Sequence, residues 1–250
     1  MDNNIIYNED CIEGIYKHID ENSIDLIVTS PPYNCGIEYD SYDDNKPWYE
    51  YGAWTMEWLE ACYYALKPDG RICVNVLLDM GNTRIGRFSP YNLIYDCMAE
   101  IGFNHHGVAL WTDNHRVKYT AWGSWQSPSA PYIYCPYEVI TIAYKNVWKK
   151  ETTGEATILK EEFMEGCSGI WNMSTEHNRE YTVAFPEELP RRCINLLTWK
   201  GDVVLDPFMG SGTTAVASLK TERKYIGFEI SENYWNIANK RIASVQRSLF

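Results

Sequence analysis

DVVLDPFMGSGTTAVA, residues 202–217, reads as a strand, a glycine-rich turn and a helix in immediate succession. The apolar run after Asp202 suits a strand buried on both faces of a parallel sheet, and Asp206 marks its end. Gly210 and Gly212 allow close backbone approach or unusual dihedrals in the turn. A helix opening near Thr213 then presents its free N–H groups to a polar ligand. No Gly-Lys-Ser/Thr follows, so this is not a Walker loop, and glycines framed as DPFMGSGTT do not make GxGxxG. Farther on, YIGFEI ends a second strand at Glu229, where a carboxylate can accept from both hydroxyls of a ribose. A glycine turn alone could be structural; with Glu229 behind it, a nucleoside-containing cofactor is expected.

Working outward, IDLIVTSPPYN, residues 24–34, is a second buried strand running straight into Ser30-Pro31-Pro32-Tyr33. The prolines stiffen the backbone just past the strand edge, where open α/β sheets bind ligands. The Pro31 carbonyl and the Ser30 hydroxyl form an acceptor pair for an amine carrying two protons, and Tyr33 offers a flat face for a ring. A proline-stiffened turn with a packed tyrosine is the alternative. Further β-like runs fall at 4–7, 71–77, 107–111, 138–144 and 225–229. Helices are expected at 12–19, 54–66, 90–100, 186–199, 213–221 and 231–247. Such alternation predicts one α/β layered domain spanning 1–250. Three stretches break it: 34–53, 112–137 and 145–184. Long loops of this kind usually bind something, and their many Trp and Tyr argue against disorder.

The 250 residues, 45% hydrophobic with 16 Gly and 11 Pro, exclude collagen-like and wholly disordered chains. No stretch approaches the roughly 18 apolar residues of a membrane span, and no secretory signal is read at the N-terminus. Eight scattered Cys without a CxxC pair suggest thiols in a reducing cytoplasm rather than disulfides or a zinc knuckle. His105 and His106 lack partners at ligand spacing, so no metal is expected. The net charge is −12, and residues 1–100 hold 18 acids against 6 Lys/Arg, so nonspecific affinity for DNA should be modest.

Taken together, TSPPYN and DPFMGSGTT resemble the catalytic and cofactor motifs of DNA amino-methyltransferases, which use S-adenosylmethionine. FPEELPRRCINLLTWKGDVVLDPFMGSGTT, residues 185–214, resembles the helix leading into their cofactor loop, and IYNEDC, ending at Asp10 and Cys11, their adenine-holding segment. The catalytic motif precedes the cofactor loop, which resembles the permuted β class. The resemblance implies a Rossmann-like α/β fold with a mostly parallel seven-stranded sheet, helices on both faces, and the strand near residue 204 close to its centre. It implies that Ser30 and the Pro31 carbonyl, stiffened by Pro32, accept from the target amine while Tyr33 stacks on a flipped base. Asp206, Pro207, Phe208, Gly210, Ser211, Gly212 and Thr213 would frame the methionine part of the cofactor. Glu229 would hold its ribose, Asp10 and Cys11 its adenine end, and Phe185 and Pro186 would pack beside it. One departure is that Tyr181 and Thr182 stand where members often carry His-Pro.

The resemblance further implies direct methyl transfer to an exocyclic amine in double-stranded DNA, with no covalent base adduct. Ser at the first catalytic position resembles the cytosine-N4 enzymes; adenine N6 is the alternative, as are a planar amine in RNA or protein and a non-catalytic binding module. Segments 112–137 and 145–180 are candidate DNA-reading insertions, with Arg116, Lys118 and Gln126 in the first. Lys145, Lys149 and Lys150 are read as phosphate contacts or a solvated patch. The acidic run 38–44 is read as a solvated loop or as a lid carrying Tyr39, Tyr42, Trp48 and Tyr49. A homodimer stands beside the monomer as a possible assembly.

Overall fold

Each apolar run becomes a strand. In chain order the strands are β1 (Ile5–Tyr7), β2 (Ile24–Thr29), β3 (Leu66–Leu77), β4 (Met80–Asn82), β5 (Gly86–Phe88), β6 (Asn104–Thr112), β7 (Glu138–Tyr144), β8 (Ile170–Asn172), β9 (Val203–Asp206) and β10 (Lys224–Phe228). They belong to a computed structural model describing residues 1–37, 39–82, 86–113, 125–131, 133–175 and 185–249. Eight strands form one sheet in the order β1-β10-β9-β2-β3-β7-β6-β8, while β4 and β5 pair separately. Only β7 runs antiparallel to its neighbours in that sheet. The short edge strand β8, the eighth where seven were expected, and the β4–β5 pair are the strands the sequence did not announce.

The helices are α1 (Cys11–His18), α2 (Trp48–Ala65), α3 (Pro90–Ile101), α4 (Lys160–Gly166), α5 (Glu188–Leu197), α6 (Thr213–Lys220) and α7 (Glu232–Leu249). All six residues of β2 are buried. Ile27 packs with α1, α2 and α3 on one face, while Leu26 and Val28 pack with α5 on the other. Full burial of each such aliphatic side chain is worth about 1.5–3 kcal/mol. α6 and α7 cover the β1–β10 end through Ala215, Val216, Ala238 and Ile242.

Local chemistry sets the helix ends. Ser89 accepts from the Asn92 N–H at 3.3 Å ahead of Pro90, and the Ser231 hydroxyl accepts from the Tyr234 N–H at 3.2 Å. α2 starts at Trp48, earlier than expected, because Tyr51, Trp54 and Trp58 recur at helical spacing; Tyr51 and Trp58 are buried. It ends at Ala65, and residues 67–70 bulge out between the pairs Ile24–Leu66 and Leu26–Arg71. The stretch beyond β7 is no plain loop: β8 pairs with β6, and the Trp171 indole N–H donates to the Gly166 carbonyl at 2.9 Å, tying β8 to α4.

β9 leads through α6 to β10 on one side, and β2 leads through α2 to β3 on the other. The connections diverge between β9 and β2, which makes the carboxyl ends of those two strands the topological switch point.

Candidate functional site

A cavity of about 300 Å³ opens at that switch point. Its base is set by Asp206, the last residue of β9. Thr29 Oγ1 donates to Asp206 Oδ1 at 2.7 Å, Thr214 Oγ1 donates to Oδ2 at 2.6 Å, and the Phe208 N–H donates to Oδ1 at 3.0 Å. One carboxylate thus joins β2, the glycine turn and the start of α6. Burial pushes its carboxyl from 3.8 up to about 6, against the pull of those donors.

Gly210 and Gly212 both lie in the left-handed region, at φ +52 and +85. A Cβ on Gly212 would stand 3.0 Å from that of Ala238 in α7. The turn is closed from above by Glu229, whose Oε2 accepts from the Gly210 N–H and whose Oε1 accepts from the Ser231 N–H, each at 2.8 Å. Burial raises the Glu229 carboxyl despite those two amides. Asp10 caps α1 by accepting from the Ile12 N–H at 2.8 Å. Burial holds the Cys11 thiol well above its ordinary value, which makes it inert as a nucleophile.

On the β2 side, the Tyr51 hydroxyl donates to the Pro32 carbonyl at 2.7 Å and pins the double-proline turn to α2. Tyr33 turns its hydroxyl inward, 2.7 Å from Ser30 Oγ and 2.9 Å from Glu138 Oε2. Asn75 Nδ2 donates to both the Tyr33 hydroxyl, at 2.8 Å, and Glu138 Oε2, at 2.6 Å. The 34–47 loop forms a further wall. Buried Asp44 accepts from the N–H groups of Asn34, Cys35 and Ile37, and Asp40 Oδ2 accepts from the Ser231 hydroxyl at 2.8 Å.

Thirteen residues named from the sequence line this cavity: Asp10, Cys11, Ser30, Pro31, Pro32, Tyr33, Phe185, Pro207, Phe208, Gly210, Ser211, Thr213 and Glu229. Pro186, Asp206 and Gly212 stand behind the wall. Of the four lid aromatics, Tyr39 and Tyr42 face the cavity; Trp48 stacks on Phe88 at 3.5 Å and Tyr49 points to solvent. Five carboxylates line it, those of Glu9, Asp10, Asp40, Glu138 and Glu229, and no basic side chain does among the described residues.

A sequence model of the family described as DNA methylase matches residues 24–240, which span both turns and every strand between them. The chain belongs to that family. Among relatives, the type II methyltransferase M.MjaVI of Methanocaldococcus jannaschii is 43% identical over 162 residues, covering 64% of this chain and 82% of its own. Two solved structures share the fold. TTHA0409 of Thermus thermophilus, complexed with S-adenosyl-L-methionine, gives a TM-score of 0.76 at 23% identity, covering 96% of this chain and 93% of that one. The cytosine-N4-specific PvuII DNA methyltransferase gives 0.73 at 20% identity, covering 100% and 93%.

Lys149 is exposed, as a solvated patch requires, but the methylase uses Lys145 and Lys150 differently from either sequence expectation. Lys145 is buried and donates to Asn22 Oδ1 and the Leu66 carbonyl, and Lys150 pairs with Asp25 and Asp202 at 3.0 and 2.7 Å. Both hold the far end of the sheet. Arg116, Lys118, Tyr181 and Thr182 lie outside the described residues. Sequence reading passed over Asn75 and Glu138, which belong to no motif. Their signal was a polar residue inside, or opening, an otherwise apolar buried strand. Among the described residues no group of three or more His, Cys, Asp or Glu could hold a metal ion.

Proposed function

We propose that the methylase transfers the methyl group of S-adenosylmethionine to the exocyclic N4 of cytosine in double-stranded DNA, by flipping the base and transferring directly. The observation that carries this reading is the single cavity in which the Ser30–Pro31 acceptor pair and the Glu229–Gly210 turn face one another. The donor set fits the cofactor. Five carboxylates without a lining cation suit a ligand bearing sulfonium and ammonium charges, and Phe185, Phe208 and Phe228 suit its ring and chain. When bound, S-adenosylmethionine supplies an electrophilic methyl group. Glu229 holds the ribose, Asp10 and Cys11 flank the adenine, and the Pro207–Thr213 turn cradles the methionine portion.

Ser30 Oγ and the Pro31 carbonyl accept from the target amine, and the Tyr33 ring stacks on the base. These contacts favour rehybridisation of a nitrogen whose lone pair is otherwise delocalised, and they aim it at the methyl group. Cytosine is favoured over adenine by the hydroxyl at the first acceptor position. The shared fold with a cytosine-N4-specific enzyme agrees. The DNA-reading surface is built from the 112–137 and 145–180 segments, within one catalytic domain, and a short target follows from their size. For a chain similar to a type II methyltransferase, a modification role beside a restriction enzyme is the fitting context.

The test incubates purified protein with labelled S-adenosylmethionine and duplex DNA, then digests the DNA to nucleosides for mass spectrometry. N4-methyl-deoxycytidine is expected. Methylated deoxyadenosine alone would overturn the choice of base, and unlabelled DNA would overturn the reading itself.

A further inference from the structure

Tyr33 does more than offer a ring. Its hydroxyl sits in a buried polar cluster in the cavity wall beside the acceptor pair, with Glu138 7% exposed and Asn75 1%. The Asn75 amide nitrogen can only donate, so it gives one proton to Glu138 Oε2 and one to the Tyr33 oxygen. The ionised carboxylate can only accept, so the Tyr33 hydroxyl proton must point at Glu138. That leaves Ser30 Oγ–H to donate to Tyr33, the one direction the 2.7 Å contact then permits. The polarity of the chain is therefore set from its buried end: Ser30 proton inward, Ser30 lone pairs toward the cavity. Burial, with Glu138 beside it, raises Tyr33 well above its ordinary value, so the ring oxygen stays a neutral donor.

We propose that Glu138, reached from β7 and steadied by Asn75 of β3, is a positioning residue that orients and polarises Ser30 through Tyr33 and ends a proton relay from the methylated amine. The inference rests on the reading of Ser30 as the amine acceptor. As the N4–methyl bond forms and the sulfonium C–S bond breaks, sulfur keeps the bonding pair and nitrogen becomes positive. The N4 proton then passes to Ser30 Oγ, Ser30's own proton to Tyr33 Oη, and Tyr33's proton to Glu138 Oε2. The products are a neutral methylamine and a protonated Glu138, which returns its proton to water after the DNA leaves. In this way a serine gains the pull of a carboxylate it does not carry. The hydroxyl of Tyr33 also becomes a functional group in its own right, so Tyr33→Phe is not a mild change even though stacking survives.

The test is a double-mutant cycle on single-turnover methyl transfer with Glu138→Gln and Tyr33→Phe, both close to isosteric. Each single variant should lose about 100-fold in rate, the lower range for general acid–base assistance. Melting temperature should be retained and the dissociation constant for duplex DNA should stay within twofold, with S-adenosylmethionine held at saturation so that any loss of cofactor affinity in Glu138→Gln does not enter the rate. The double variant should lose no more than either single one, because one relay is already cut. Should Tyr33→Phe fold poorly, Ser30→Ala with Glu138→Gln closes the same cycle. A single variant within threefold of the wild-type rate, or losses that multiply, would overturn the relay while leaving the DNA methylase reading intact. A wild-type protein that labels no duplex DNA would instead overturn both.

Discussion

The two ends of β2 and β9 treat charge in opposite ways. At the amino ends, Asp25 accepts from Lys67 and Lys150 at 2.8 and 3.0 Å and from the Val203 N–H at 3.0 Å, while Asp202 takes a second contact from Lys150. At the carboxyl ends, Asp206 closing β9 is held by two hydroxyls and an amide, and Glu229, just past the neighbouring β10, by two amides. Burial drives all three carboxyls toward protonation. At Asp25 the Lys67 contact, the Val203 amide and Lys150 overcome it and leave the group below its ordinary value, whereas Asp206 and Glu229 finish above theirs. The end that only holds the sheet neutralises its charge. The end that opens on the cavity keeps a negative potential in reserve, which suits a cationic ligand.

The largest effect should come from breaking the paired end. Asp25→Ala leaves Lys150, 7% exposed, with Asp202 alone and removes the acceptor of the Val203 amide. Removing one member of a buried pair costs about 3–5 kcal/mol. Urea denaturation should show a loss of that order, with cofactor affinity of the folded protein unchanged. A loss below about 1 kcal/mol would mean the pairing contributes little beyond packing.

The next prediction turns on the opposite signs of the two ends. A carboxyl raised in the folded state binds its proton more tightly there than in the unfolded chain, so stability falls as pH rises between the two values. For Asp206 that window runs from 3.8 to about 6. Above it the ionised group costs on the order of 3 kcal/mol relative to acid conditions. Asp25 has the opposite sign: its lowered carboxyl stabilises above the unfolded value, and that contribution is lost as pH falls. In Asp206→Asn the hydroxyls of Thr29 and Thr214 can reverse to meet the amide. Relative to wild type, this variant should therefore gain on the order of 3 kcal/mol between pH 4 and pH 7. Because Glu229 shifts in the same direction as Asp206, the difference between variant and wild type is the quantity to follow. A flat difference would end the contrast.

A third expectation concerns the ligand. Glu229→Ala should weaken S-adenosylmethionine binding at least tenfold, about 1.4 kcal/mol, with the fold kept. Calorimetric affinity equal to wild type would show that the reserve of negative charge serves something other than this ligand.

The sequence displayed this molecule unevenly. β2 and β9 were plain because strands buried on both faces must be apolar throughout, and both turns were plain because only Gly and Pro make those shapes. β8 and α4 were hidden: three edge residues and a seven-residue helix of about two turns are too short to show a period, and Trp171 gains its role only from packing beside β6. The acidic loop was half legible. Its aromatic content suggested a wall, but that Asp44 folds inward to hold three backbone amides depends on the loop's shape. Glu138 and Asn75 were the costliest omissions. They lie 63 residues apart in sequence and meet because β3 and β7 pair antiparallel, a register no local pattern announces.

The smallest expected effect separates the two glycines of the turn, one in the cavity wall and one behind it. A Cβ at Gly210 would meet nothing closer than the Phe208 carbonyl at 3.9 Å, so Gly210→Ala should cost only the left-handed penalty, about 1 kcal/mol. At Gly212 the same penalty is joined by the 3.0 Å approach to Ala238, on a helix that cannot retreat without disturbing the α6–α7 packing. Gly212→Ala should therefore be the less stable of the two by roughly another 1 kcal/mol. Affinity should order them the other way. Gly210 lines the cavity and gives its N–H to Glu229, so a methyl there intrudes on the ligand, whereas Gly212 lies outside the lining. Thermal melts paired with cofactor titrations on both variants decide the matter: the same rank order in both measurements would mean that the wall and the support behind it are not separate structures.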